Sequence, residues 1–221
     1  MFFKALVFAQ LLLLGYGQSP TCTSDEISGM NTCWMSYFGN FGYTSIPDFH
    51  DYMNKYVGYL NAQGPKGLAS VCTWIKQKDS CEAPYKADCM NPTGYSQIFK
   101  DDTQGDSYYT AEAINVWECG TGYNLTLDHF YCKLSVHLQH ADELRACETT
   151  FFNEINQGLN CTYATEFVNC MQKIYLKYCG AASARFACAF SEVAMEVNLP
   201  MCNSSLPDCG TSKFKKFFLG Q

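Results

Sequence analysis

The sequence is poor in charged residues, and poorest in basic ones. Charged side chains make up 16% of the 221 residues, with 15 lysines and arginines against 21 aspartates and glutamates, for a net charge of −6. Nucleic-acid binding requires a positive surface that displaces phosphate counterions, so this balance argues against a nucleic-acid partner. The hydrophobic fraction of 48% excludes a disordered or collagen-like chain.

Sequence motifs of common catalytic and metal sites are also missing. The chain has no G-x-S-x-G nucleophile turn, no phosphate-binding P-loop and no dinucleotide fingerprint. It has no C-x-x-C pair either, because the closest cysteines, Cys202 and Cys209, are separated by six residues. Structural zinc and thioredoxin-type redox sites need closely spaced thiols. We therefore expect no metal, no cofactor and no catalytic residue.

The longest apolar run lies at the start of the chain, within 1–17. Lys4 precedes an apolar stretch that ends in Gly15 and Gly17, the order typical of a secretory signal peptide cleaved before Gln18. The run is shorter than the ~20 residues of a membrane-spanning helix, and no later segment is apolar enough to span a bilayer. The sequence predicts a signal peptide (1–17), a cysteine-rich helical domain (18–209) and a basic, aromatic tail (210–221).

All fourteen cysteines follow the predicted signal peptide. An even number of cysteines in an oxidising compartment predicts seven disulfides, whose pairing cannot be deduced from spacing. The predicted disulfide cysteines are Cys22, Cys33, Cys72, Cys81, Cys89, Cys119, Cys132, Cys147, Cys161, Cys170, Cys179, Cys188, Cys202 and Cys209.

Three N-x-S/T sequons fit the same compartment. They predict N-glycosylation at Asn124, Asn160 and Asn203, and an attached glycan would place each segment at the surface. The middle residue of the Asn160 sequon is Cys161, and a disulfide at that cysteine disfavours glycosylation of Asn160.

Hydrophobic spacing predicts helices along most of the chain and almost no sheet. In the first half, apolar steps of three and four residues predict helices over 45–61, capped by Ser45, over 68–75 and over 110–117. The polar segment Asp101–Ser107 is predicted as a loop. Gly105 is fifth in Asp101–Glu112, whereas a calcium loop needs its glycine sixth, so calcium binding is not expected there.

The second half shows stronger apolar stripes. The first joins Leu127 to Ala141 as one face of a helix, and others cover 144–155, 167–178 and 186–197. Cysteines 161, 170, 179 and 188 follow one another at nine-residue steps, which is two and a half helical turns. Successive cysteines on one helix then face opposite sides, and Gly180 predicts that Cys188 belongs to the next helix. The predicted class is an all-α, disulfide-rich helical bundle.

Three histidines, His129, His137 and His140, are candidates for a metal or catalytic site. On a helical wheel they fall beside the Leu127–Ala141 stripe, which predicts that they face water. They lack the H-E-x-x-H pattern of zinc sites. Asp128-His129 near Cys132 resembles the catalytic helix of secreted phospholipases, but the adjacent cysteines and the glycine-rich calcium loop of those enzymes are absent.

One family resemblance covers nearly the whole mature chain. The signal peptide, the scattered cysteines, the segment Phe167–Cys188 with Cys179-Gly180, and Pro200-x-Cys202 resemble nematode secreted proteins of the domain of unknown function nineteen family. The chondroitin-proteoglycan-type cysteine-rich helical domains of the same animals look similar. The resemblance implies a secreted, helical, disulfide-rich protein without a catalytic motif.

These observations favour a secreted, monomeric, non-catalytic protein. The predicted role is extracellular recognition or defence, by binding a protein, glycan or small apolar ligand. Two alternatives stay open, a phospholipase-like lipid hydrolase using His129 and a component of extracellular matrix or cuticle.

The predicted processing can be checked by mass. We expect the protein secreted from eukaryotic cells to begin at Gln18, to lose mass on glycan removal, and to contain fourteen oxidised thiols. Intact mass spectrometry before and after alkylation and deglycosylation measures all three. Alkylated free thiols or a bound metal ion would contradict the structural reading of the cysteines.

Overall fold

The computed structural model describes residues 22–210. Within that range the chain forms eleven α-helices and one 3₁₀ helix, with no β-strand, which confirms the all-α prediction. The predicted signal peptide and the tail beyond Gly210 lie outside the described residues. No helix in this range combines the length and hydropathy needed to cross a bilayer.

The chain divides into two compact units, 22–112 and 113–210. The helices are α1 (Ser24–Gly39), α2 (Phe49–Gln63), α3 (Pro65–Glu82), α4 (Lys86–Cys89), α5 (Pro92–Phe99), α6 (Asp102–Cys119), α7 (Tyr123–Asp128), α8 (Phe130–Gln139), α9 (Ala141–Ile155), α10 (Cys161–Cys179), α11 (Ala181–Asn198) and the 3₁₀ helix (Pro200–Ser205). The unit boundary falls within α6.

Short polar side chains set several helix starts. Thr23 and Glu26 form a reciprocal capping box at α1, and Asn91 accepts a hydrogen bond from the Gly94 amide at α5. At α2 the cap is Asp48, whose Oδ1 accepts from the His50 amide at 2.8 Å, so the helix starts later than predicted from Ser45. Such caps satisfy backbone N–H groups that have no partner within the helix.

The loop predicted over Asp101–Ser107 is wrong, because α6 begins at Asp102 and is longer than the predicted 110–117 helix. Asp101 Oδ1 accepts a hydrogen bond from the Gln104 amide at 2.8 Å and caps this helix start. Gly105 lies so close to α5 that a Cβ there would be 2.5 Å from the Ser96 nitrogen. The polar segment is thus helical because of a cap and a close helix contact, which apolar spacing does not reveal.

The single helical stripe from Leu127 to Ala141 is also wrong. His129 and His140 have non-helical backbone angles, with φ of −110° and −128°, and they separate α7, α8 and α9. Leu127 and Leu138, which belong to the predicted inward stripe, are exposed, whereas Val136, which lies outside that stripe, is buried. The histidines do not simply face water, since all three are half-buried.

An aromatic core fills unit 22–112. Trp34, Tyr37 and Phe38 of α1 are almost completely buried, and Phe99 and Tyr108 stack at 4.0 Å between ring centroids. Disulfides Cys22–Cys89 and Cys33–Cys81 connect the start of the unit and α1 to α4 and α3. Aromatic rings carry much of this core because each buries a large apolar area.

Helix α10 is the covalent centre of unit 113–210. Cys161, Cys170 and Cys179 all lie on it and bond to different elements, with pairs Cys161–Cys202, Cys147–Cys170 and Cys132–Cys179. Gly180, with φ of +85°, ends α10, and Cys188 lies on α11. This agrees with the nine-residue spacing argument, although α10 starts at Cys161, earlier than the predicted 167–178 stripe.

No cysteine is free in the described range, which holds all fourteen. The prediction that the cysteines are disulfide-bonded is therefore confirmed. Cys188–Cys209 adds a further bond at the end of unit 113–210. This density of disulfides is typical of secreted or extracellular proteins.

The aromatic core gives a stability prediction. We expect Phe38→Ala, which leaves a cavity among Trp34, Tyr52 and Tyr108, to lower the free energy of unfolding by about 3–5 kcal/mol. The control Tyr131→Ala removes a ring that is 69% exposed and should change it by less than about 0.5 kcal/mol. Denaturant unfolding under non-reducing conditions measures both. Equal effects would contradict the assignment of Phe38 to the core.

Candidate functional site

The phospholipase-like candidate His129 is a junction residue between α7 and α8. Its Nδ1 lies 3.0 Å from the hydroxyl oxygen of Ser183, a buried residue of α11, and its ring lies 6.0 Å from that of Phe186. In a hydrolase the imidazole nitrogen that activates water must reach the reacting water. Here one ring nitrogen is engaged with a buried hydroxyl, which favours a role in attaching α11.

The other two histidines have different surroundings. Burial, assisted by the charge of Lys133, lowers the pKa of His137 to about 3, so this ring is neutral at physiological pH. The His140 ring stacks on Tyr178 with centroids 3.5 Å apart, and its Nδ1 lies 3.8 Å from Glu143 Oε1. In the described range, no cluster of three potential metal ligands includes a histidine. The three residues thus contact different partners rather than one common site.

Exposed apolar side chains are concentrated in unit 113–210. Among described residues, the exposed large hydrophobic side chains are Leu127, Tyr131, Leu138, Leu159, Leu176, Tyr178 and Met201. Four of them lie on α8 and α10, the helices joined by Cys132–Cys179. We call Tyr131, Leu138, Leu176 and Tyr178 the α8–α10 surface. Tyr131 and Tyr178 directly precede Cys132 and Cys179, the two cysteines of that bond.

Polar contacts border this surface. The Tyr178 hydroxyl donates a hydrogen bond to Glu143 Oε1, and Lys177 Nζ lies 3.1 Å from Glu143 Oε2. The hydrogen bonds from Tyr178 and Lys177 lower the pKa of Glu143, so this carboxylate stays charged. Exposed apolar and aromatic side chains together with paired charges are typical of protein interfaces.

The sequons differ in accessibility. Asn124 is exposed on α7, and Asn160 is exposed at the start of α10, where its Oδ1 accepts from the Thr162 amide at 3.0 Å. Asn203 is half-buried in the 3₁₀ helix. Asn160 and Asn203 directly adjoin the Cys161–Cys202 disulfide, so both lie at the same end of α10.

A buried ionic cluster in unit 22–112 was missed by sequence reasoning. Lys78 Nζ lies 3.0 Å from Glu82 Oε2, 2.6 Å from Glu112 Oε1 and 4.2 Å from the centre of the Trp34 ring. All three charged side chains are almost completely buried. A signal was present, because Lys78 and Glu82 continue the inward spacing of Leu68, Val71 and Ile75 on α3.

Burial and the close charges shift the pKa values of Lys78 and Glu82. Burial disfavours the charged ammonium, but the charges of Glu112 and Glu82 outweigh it and raise the pKa of Lys78. Burial, opposed by the charge of Lys78, raises the pKa of Glu82 to about 7. A carboxylate oxygen of Asp79 lies within 4.8 Å of carboxylate oxygens of Glu82 and Glu112. Asp79 also forms an ion pair with Lys86.

Comparisons with protein-family models, with curated proteins and with solved structures found no match.

The ionic cluster predicts unequal roles for two lysines. We expect Lys78→Met to lower the free energy of unfolding by about 3–5 kcal/mol, because it leaves buried carboxylates without a counter-charge. Lys177→Met, which removes an exposed ion pair, should leave the unfolding midpoint almost unchanged. Denaturant unfolding at pH 7.5 checks both. A Lys78→Met protein as stable as the wild type would show that the cluster is not a structural ion pair.

Proposed function

We propose that this chain is a secreted, N-glycosylated, non-catalytic protein that recognises another extracellular protein through the α8–α10 surface. The observation that carries the proposal is that two helices joined by a disulfide each expose two large apolar side chains. The complete oxidation of the cysteines supports an extracellular site of action. We also propose membership of the domain of unknown function nineteen family, on the cysteine pattern quoted above.

A protein partner suits this surface better than a glycan or a small ligand. Small apolar ligands favour concave pockets that enclose most of their area. The α8–α10 surface instead presents Tyr131 and Leu176 with 69% and 51% of their area exposed. Tyrosine is enriched in protein interfaces, where its ring supplies area and its hydroxyl a hydrogen bond. The neighbouring Glu143–Lys177 pair supplies a polar border.

A rigid support is the second requirement for recognition. Cys132–Cys179 connects α8 to α10, and Cys147–Cys170 connects α9 to the same helix. Covalent links of this kind restrict the motions that a binding surface would otherwise lose on association, and such losses weaken binding. We therefore assign the disulfides of this unit a role in holding the surface in its binding geometry.

The proposal is tested with paired surface variants of the full secreted chain. We expect Tyr131→Ser with Leu176→Ser to abolish retention of a defined protein from the extracellular fluid of the producing organism. The matched control is Leu159→Ser with Met201→Ser, which replaces exposed apolar residues outside the α8–α10 surface. Affinity capture followed by quantitative mass spectrometry measures retention, and unchanged disulfide content confirms folding.

Several outcomes would contradict the proposal. Equal retention by both double variants would exclude this surface, and a lipid bound in native mass spectrometry would indicate a carrier. Self-association that the first double variant abolishes would identify a second copy as the partner. Calcium-dependent fatty-acid release that His129→Gln abolishes would indicate a hydrolase, and an insoluble product would favour a matrix component.

A further inference from the structure

Two buried carboxyl groups in unit 22–112 share a single ammonium group. Glu82 and Glu112 are both completely buried, and each places one oxygen within 3.0 Å of Lys78 Nζ. Their other oxygens, Glu82 Oε1 and Glu112 Oε2, are buried and have no hydrogen-bond partner among residues 22–210. A buried carboxylate oxygen without a donor is costly, so a proton donor is missing from this arrangement.

In the part of the chain that the structure describes, the surrounding helices donate no hydrogen bond to these two oxygens. On α3 and α4, Asp79 and Lys86 pair with each other. Tyr95 of α5 donates its hydroxyl to Met90 Sδ at 3.3 Å, and Tyr37 of α1 shares a hydrogen bond with Tyr52 at 2.7 Å. Trp34 offers Lys78 its ring face. Counting Lys78 against Glu82 and Glu112 leaves one negative charge in excess.

A metal ion is poorly suited to balance this extra negative charge. The ligand oxygens of Asp79, Glu82 and Glu112 lie within 4.8 Å of one another. The Lys78 ammonium, however, already contacts two of these three carboxylates, and Lys86 contacts the third. A divalent ion would approach both ammonium groups at close range and be repelled. A proton adds one positive charge, supplies a donor and needs almost no space.

We propose that Glu82 and Glu112 form a proton-binding site, in which one carboxyl group stays protonated near neutral pH and donates a hydrogen bond to the other. The proton is taken from solvent when the unit folds, as one carboxylate becomes a carboxylic acid, and it returns to solvent on unfolding. The folded unit is therefore stabilised by mildly acidic surroundings.

The direction follows from linkage. The pKa of Glu82 is raised by burial, against the attraction of Lys78, from 4.5 to about 7. Between these values the folded state binds more protons than the unfolded state, so stability falls as pH rises through this window. One linked proton changes the unfolding equilibrium constant by about tenfold per pH unit.

Two other groups, Asp106 and His137, also have shifted pKa values and contribute to the pH dependence of stability. Burial raises the pKa of Asp106 to about 6, which acts in the same direction as Glu82. Burial lowers the pKa of His137 to about 3, which acts in the opposite direction as pH falls below the ordinary histidine range. Both remain in a Glu82 variant, so the difference between variant and wild type isolates the carboxyl pair.

The first test is denaturant unfolding of the secreted full chain between pH 5 and pH 8. We expect the pH dependence of the free energy of unfolding of Glu82→Gln to correspond to close to one linked proton fewer than that of the wild type. If Glu82→Gln does not fold, Glu112→Gln should show the same loss. Glu166→Gln, at an exposed position on α10, is the matched control and should retain the wild-type slope. Equal slopes in all four proteins would overturn the proposal.

The second test needs no folded variant. Infrared spectra of wild-type protein labelled with carbon-13 glutamate should show, at pH 6, the carbonyl band of a protonated buried carboxyl. The band should decrease as pH rises to 8. Absence of that band at pH 6 would overturn the proposal even if the stability slopes agreed with it. Neither test involves a binding partner or the α8–α10 surface. The results of these tests are therefore independent of the results for the proposed function.

Discussion

Bonding of three cysteines on one helix is the constraint on which unit 113–210 depends. Cys161, Cys170 and Cys179 lie along α10 at nine-residue steps and bond to the 3₁₀ helix, α9 and α8. Each bond closes a loop of tens of residues, and such a bond contributes about 2–4 kcal/mol by restricting the unfolded chain. The position of α10 thus determines where three other elements lie.

This covalent support explains why α8 can depart from ordinary helix packing. A surface helix usually buries its leucines to remain attached to its core. Helix α8 leaves Leu138 exposed and ends at non-helical histidines on both sides, yet Cys132 holds it to α10. The apolar side chains of α8 that are not needed for attachment are those for which we propose a role in recognition.

Unit 22–112 is held together differently, by aromatic packing around a buried charge. Trp34 contacts Phe38, Tyr95, Phe99 and Tyr108 and also lies under the Lys78 ammonium. An ammonium group over an aromatic face gains attraction while it remains desolvated. The same burial makes the charge on Glu82 costly, and this raises the pKa of its carboxyl group.

The sequence predicted those features that depend on composition and spacing, and failed where tertiary contacts decide. Oxidised cysteines, the helical class and the break at Gly180 follow from counts, periodicity and glycine's freedom at positive φ. The start of α6 depended on the Asp101 cap and on the close approach of Gly105 to α5. The breaks at His129 and His140 interrupt a regular apolar spacing that gave no sign of them. The inward spacing of Lys78 and Glu82 was visible, but only the position of Glu112 on another helix showed that they form a cluster.

The two kinds of support respond differently to surroundings. Disulfides are insensitive to proton concentration in the mildly acidic to neutral range, whereas a buried carboxyl pair gains or loses stability with each proton bound. On our proposals, a change of pH therefore acts on the Lys78 cluster, while the bonds of α10 persist. The proposed recognition surface then keeps a fixed geometry, and the proton dependence is confined to the stability of unit 22–112.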